Sequence, residues 1–189
     1  MTTEYNDERH EYRIDGIIVP GVTTIIKAAG MYDDRFFTEE ARQRGTYVHG
    51  AALFLVQNDL HDDSILPAYR GYIDGVRMFL SETDCIPDVE LCEKPQFNKI
   101  FMYGTKIDLP CLFNGHDSII DYKSGAETPV TGIQLAGQAQ LIGKPVKRYG
   151  LHLKADGKYK LVEYKDRNDI KIFNAALSLY HWRQKEGLL

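Results

Sequence analysis

The run Ile119-Ile120-Asp121-Tyr122-Lys123 lies on one side of an Asn114-Gly115 pair, and Lys106-Ile107-Asp108 lies on the other. Asn-Gly between apolar-rich runs is the strongest short-range signal for a two-residue hairpin turn. Counting outward from that turn, Asp108 falls opposite Asp121 on an antiparallel pair, with side-chain carbons roughly 4.5–5.5 Å apart. Two carboxylates about 4 Å apart repel by about 4 kcal/mol at an effective dielectric of roughly 20. A fold keeps such a pair for a cation or for acid–base work. A longer loop, Asn114 to Asp117, would make the acids diagonal neighbours, still within reach of one metal. Strand side chains alternate, so Lys123 emerges on the face that carries Asp121. Two acids and a lysine on one strand face are the parts of a metal-dependent phosphodiesterase. Asp-x-Lys alone more often sits on a solvated strand face, so further residues must carry the reading.

The bulk numbers constrain the class without naming a function. A chain of 189 residues with 43% hydrophobic and 26% charged content fits one globular domain with its own core. No apolar run approaches about 18 residues, so no membrane span is expected. The opening Met1 to Arg9 lacks the basic-then-apolar layout of a secretory signal, which points to a cytoplasmic protein. Cys85, Cys92 and Cys111 form no metal-spaced pair, and an odd count suits reduced thiols in a cytoplasm. A net charge of −4 argues against a general nucleic-acid coat protein but not against a nuclease with an acidic metal site.

The pattern predicts a hairpin about Asp15-Gly16 and a short helix from Val22 to Gly30, with Thr23 or Thr24 as its cap. A longer helix is expected from Thr38 to Gln57, with Glu39 and Glu40 in its first turn, and a third from Pro67 to Glu82. Strands are expected at Val89–Gln96, Ile100–Leu109 and Ser118–Tyr122. A helix follows at Thr131–Ile142, then a second hairpin about Asp156-Gly157 and a closing helix from Asp169 to Glu186. The expected fold is α/β, a central mixed sheet flanked by helices. The domain would run 1–189 in three parts: an N-terminal hairpin and helices (1–85), a catalytic sheet and helix (86–145), and a C-terminal hairpin and helix (146–189).

Four segments fall into one order: Gly45-Thr46-Tyr47-Val48-His49 in mid-helix, Asp108, then Asp121-Tyr122-Lys123, then Gln134 to Gln138 on the following helix. This order resembles the PD-(D/E)xK nuclease superfamily, specifically its RecB-like branch, which includes phage recombination exonucleases. The similarity runs from His10 to the C-terminus and includes the Tyr12 to Thr24 opening common in phage members. The resemblance implies a restriction-endonuclease-like core. It assigns His49, Asp108, Asp121 and the Tyr122 carbonyl to the metal, Lys123 to catalysis, and Gln134 and Gln138 to the substrate side. Mg²⁺ or Mn²⁺ suits such a donor set. Gly45, one turn before His49, leaves room beside the ring, and Arg42 continues that face toward a phosphate. Glu93 shares parity with Val89 and Leu91 and is either a support for the metal ligands or a surface charge.

The chain departs from the family pattern in places. The usual spacing is Gly-x-x-Asp, whereas Gly104 to Asp108 carries an extra residue, which implies a bulge near the site or a different role for Gly104. The hairpin register would also set Lys106 against Lys123. Gln138 stands where many relatives carry tyrosine. The cysteines of iron–sulfur members are missing, so no cluster is expected. The implied activity is DNA hydrolysis, with exonuclease action in phage recombination or replication favoured. The partners would be DNA and a single-strand annealing or other recombination protein, with no membrane and with an oligomer allowed. The alternatives are a non-cleaving DNA-binding or assembly protein on the same fold, or a nuclease for RNA or branched DNA. Arg42, Lys106, Lys123 and Lys144 are expected to form a basic rim around the acidic centre.

Overall fold

The structure, a computed structural model, describes residues 1–32 and 38–189. Its centre is a five-stranded mixed sheet in the order β10-β9-β8-β7-β4: β4 (Ile86–Pro87), β7 (Leu109–Phe113), β8 (His116–Lys123), β9 (Lys147–Leu153) and β10 (Tyr159–Glu163). The Asn114-Gly115 turn forms as its residues dictate, both with positive φ. It sets the register Phe113↔His116 through Leu109↔Ile120. β8 and β9 run parallel, joined by α4 (Val130–Ile142), which Gly143 ends in the left-handed region. Two smaller antiparallel sheets stand beside this one: β1 (Thr3–Asn6), β2 (Glu11–Ile14) and β3 (Ile17–Val19), and the pair β5 (Pro95–Asn98) and β6 (Tyr103–Lys106).

Helices cover both faces of the central sheet. α2 (Glu39–Val56) begins where Thr38 accepts from the Ala41 amide, with Glu39 and Glu40 at the positive end of the helix. Its Val48 and Ala52 pack with Ile73 and Phe79 of α3 (Arg70–Glu82) on Ile120, Tyr122 and Leu151. The opposite face carries Ile119 under Leu135 of α4. Behind α4 lie α1 (Val22–Ala28) and α5 (Asp169–Lys185), whose Ile25, Phe173 and Leu177 form a further cluster with Tyr103. β8 therefore alternates between two apolar layers, Ile119 towards α4 and Ile120 towards α2 and α3. α1 is capped by Gly21, and neither Thr23 nor Thr24 caps it, because the helix starts one residue before the threonines. The three cysteines are buried and unbridged. Among the described residues no helix is long and apolar enough to cross a membrane.

The expected long strands are broken, and the breaks shape the site. Residues 89–93 form a turn and not the start of a strand. Asp88 presents its carbonyl to the amides of Leu91 and Cys92, which coils the segment despite its alternating pattern. The expected strand Ile100–Leu109 divides into β6 and β7. Within one regular strand Ile107 and Leu109 would share a face. Here Ile107 joins Ile119 and Leu135, whereas Leu109 joins the α2–α3 layer. The chain thus changes face at Ile107-Asp108, which is the irregularity implied by the extra residue before Asp108. Lys106 does not oppose Lys123: it pairs with Pro95 in the smaller sheet and sends its ammonium to Asp7, 2.7 Å away. Gly104 serves packing, since a Cβ there would lie 2.4 Å from the Tyr12 ring.

Helix glycines separate two kinds of constraint. A Cβ at Gly71 of α3 would lie 1.9 Å from the Ala155 carbonyl oxygen, whereas one at Gly45 of α2 would meet nothing within 4 Å. Gly71→Ala should lower the unfolding free energy by about 2 kcal/mol through forced backbone movement. Gly45→Ala should raise it by up to about 1 kcal/mol, the helix-propensity gain of alanine. Urea denaturation of the two variants checks this, and equal responses would contradict the packing described.

Candidate metal centre and its cleft

His49 lies on the face of α2 that meets the end of β8. Its Nε2 donates to the Tyr122 carbonyl at 3.0 Å, which turns Nδ1 towards two carboxylates. Nδ1 stands 3.4 Å from Asp108 Oδ2 and 3.5 Å from Glu93 Oε1. One ligand atom from each of His49, Glu93 and Asp108 lies within 4.8 Å of the others. A donor set of one imidazole nitrogen and two carboxylate oxygens fits Mg²⁺ or Mn²⁺. A metal-ligating histidine commonly donates its other N–H to a backbone carbonyl, and Tyr122 provides that acceptor. The Tyr122 carbonyl, which the resemblance assigns to the cation, here accepts from His49 Nε2.

The strand break places these groups. Asp108 Oδ2 accepts from the Tyr122 amide at 2.8 Å, so the carboxylate caps the β8 backbone. The Glu93 amide donates to the Ile107 carbonyl at 2.9 Å, which brings the 89–93 turn alongside. Glu93 sits at φ 55, a left-handed conformation that costs a non-glycine residue roughly 1–2 kcal/mol. Such strain concentrates at functional sites. Burial alone would lower the His49 pKa, but Asp108 and Glu93 beside the ring hold it well above the ordinary imidazole value. Burial pushes the Asp108 carboxyl up to about 6 against the pull of His49, with repulsion from Asp121 adding to the rise.

Asp121 belongs to a second group on the α4 side of the sheet. Its Oδ1 accepts from Gln134 Nε2 at 2.7 Å, and its Oδ2 is 2.6 Å from Lys123 Nζ. The same ammonium donates to Gln134 Oε1 at 2.9 Å, closing a three-residue ring. Lys123 does share the Asp121 face, as strand alternation requires. Burial would lower the Lys123 pKa, but the Asp121 charge outweighs it and raises the value. Asp121 is 1% exposed and lies outside the set formed by His49, Glu93 and Asp108. Three carboxylates thus face one ammonium and one imidazole, a net of −1 with His49 protonated and −2 with it neutral. The cluster has the charge deficit a divalent cation would fill.

A cleft of about 890 Å³ opens beside both groups, lined by His49, Lys123 and Gln134 together with Arg42, Arg44 and Gly45. Gln138 is not among its lining residues. That side chain is buried and donates to the Lys106 carbonyl at 3.2 Å, where the strand break leaves an acceptor to satisfy. Arg42 is on the cleft but holds Glu39 through two hydrogen bonds. The basic rim is narrower than expected, because Lys106 turns to Asp7 and Lys144 to Asp117. Arg44 lines the cleft instead, and its signal was available: it lies three residues on from Ala41, which also lines the cleft. Glu93 was legible only as an ambiguous acid, since its position depends on a turn that its sequence disguises as a strand.

Comparison with family models and with curated proteins finds no match. Among solved structures, the chain is similar to a "Putative exonuclease" from Eubacterium rectale, with a TM-score of 0.53 and 12% sequence identity. The match covers 88% of this chain and 74% of that one. The likeness is one of fold, and it agrees with a mixed sheet flanked by helices.

Glu93→Gly tests whether this residue is held in place at a cost to stability. The substitution removes a left-handed penalty of roughly 1–2 kcal/mol and adds about 0.5–1 kcal/mol of backbone entropy loss. Thermal unfolding should show the variant no less stable than the parent. A clear loss of stability would mean that the Glu93 side chain itself secures the turn.

Proposed function

We propose that this chain is a divalent-metal-dependent DNA nuclease of the PD-(D/E)xK superfamily, in its RecB-like branch, acting as an exonuclease. One observation carries the reading: the His49, Glu93 and Asp108 donor set lies beside a lysine held by Asp121 and Gln134, and His49, Lys123 and Gln134 line one cleft. The similarity in fold to a "Putative exonuclease" supports it. We further propose a role in phage recombination or replication, in the host cytoplasm, beside a single-strand annealing or other recombination protein. The Tyr12 to Thr24 opening is the support for that setting.

His49, Glu93 and Asp108 would hold Mg²⁺ or Mn²⁺, which supplies Lewis acidity towards a phosphodiester and lowers the cost of deprotonating water. The protein's own groups set the rest. Lys123 keeps its ammonium at the cleft wall, with two of its donors committed to Asp121 and Gln134 and the third available to a phosphoryl oxygen. Gln134 fixes the direction of that donor, so it acts by positioning Lys123 and Asp121. Asp121 balances the ammonium, which would otherwise be a half-buried unpaired charge.

Incubation of the purified protein with Mg²⁺ or Mn²⁺ and end-labelled linear or circular DNA should release nucleotides from linear substrates only, and a chelator should stop it. Lys123→Ala should lower turnover by about 10²–10³-fold, the usual cost of losing one transition-state donor. Its Mn²⁺ affinity should stay near that of the parent, with folding checked by circular dichroism. Near-parental turnover in Lys123→Ala would contradict the assigned chemistry, and equal cleavage of circles would contradict exonuclease action.

A further inference from the structure

We propose that Arg44 is a phosphate-binding residue of the cleft, taking a backbone phosphate of the bound strand that flanks the one at the metal centre. This rests on the nuclease reading above. Charged groups lining the cleft are nearly all paired. Arg42 is held by Glu39, Lys123 by Asp121, and Glu127 by Lys160 at 2.5 Å. Arg44 also lines the cleft, yet among the described residues no carboxylate lies within ion-pairing distance of it.

The side chain is nonetheless held in place. Its guanidinium carbon lies 5.8 Å from the centre of the Tyr72 ring, and its Nε donates to Ser124 Oγ at 3.4 Å. Tyr72 comes from α3 and Ser124 follows Lys123 at the end of β8, so two rigid elements aim one guanidinium. Stacking on an aromatic face and one bond through Nε leave the terminal nitrogens for an anion. Their planar fork matches phosphate oxygens. An arginine cannot shed its charge, so a half-buried one without a counter-ion among the described residues is suited to a ligand that supplies it. Arg44 lies five positions before His49 on α2, about 7.5 Å along the helix axis. That offset suits a neighbouring phosphate better than the one at the metal centre.

Salt dependence separates this role from simple packing on Tyr72, which would not change the number of phosphates neutralised. Fluorescence anisotropy with a labelled single-stranded DNA oligonucleotide, in Ca²⁺ and over a KCl series, gives the slope of log affinity against log salt. Arg44→Gln should weaken binding by about tenfold and reduce the magnitude of the slope by about one. Arg44→Lys should keep the slope with weaker binding, and Arg42→Gln, already paired with Glu39, should change it less. A parental slope in Arg44→Gln with a parental melting temperature overturns the proposal. The same protein assayed for cleavage with Mn²⁺ separates the two claims. Cleavage with an unchanged Arg44→Gln slope leaves the nuclease reading standing and removes this inference. Absence of both DNA binding and cleavage in the parent removes both.

Discussion

The bond from the Tyr122 amide to the Asp108 carboxylate is the contact on which the rest of the site depends. A regular hairpin would face Asp108 with Asp121 and leave two carboxylates to repel each other inside the protein. The chain instead changes face between Ile107 and Leu109, and Asp108 meets the β8 backbone in place of a strand carbonyl. A hydrogen bond to a charged acceptor contributes about 1.5–3 kcal/mol, enough to offset much of the burial of that acid. The broken strand leaves acceptors behind, and each finds a donor: Gln138 for Lys106 and the Glu93 amide for Ile107. The same bonds that repair the break also deliver Glu93 and α4 to the site.

One consequence is a separation of acids that the linear motif presents as equivalent. Asp108 lies on the α2 side with His49 and Glu93, and Asp121 lies on the α4 side with Lys123 and Gln134. His49 spans the division, its Nε2 on the Tyr122 carbonyl and its Nδ1 towards the acids. A proton on that ring partly neutralises the acids, and a cation would replace it. Metal ligation by imidazole requires the neutral ring, so proton and metal compete for one place.

Much of this was legible in the sequence. The Asn-Gly turn fixed the hairpin register, strand alternation put Lys123 on the Asp121 face, and the caps and first-turn acids bounded α2 closely. The extra residue after Gly104 marked an irregularity before Asp108. What was not legible depended on contacts remote in sequence. Val89 to Glu93 alternates like a strand, yet Asp88 coils it, and no local signal ranks that carbonyl above a ladder partner. Gln134 and Gln138 read as equivalent amides one turn apart on a helix, but only Gln134 lines the cleft. Lys106 and Lys144 looked available because their partners, Asp7 and Asp117, come from other segments.

The most direct test is the position of Mn²⁺ in crystals of the protein, located by its anomalous scattering. The account predicts density bonded to His49 Nδ1 and to oxygens of Glu93 and Asp108, at roughly 2.0–2.3 Å. His49 Nε2 should stay on the Tyr122 carbonyl, and Asp121 should stay with Lys123 and Gln134. Density on Asp121 and the Tyr122 carbonyl, with Glu93 turned away, would contradict it.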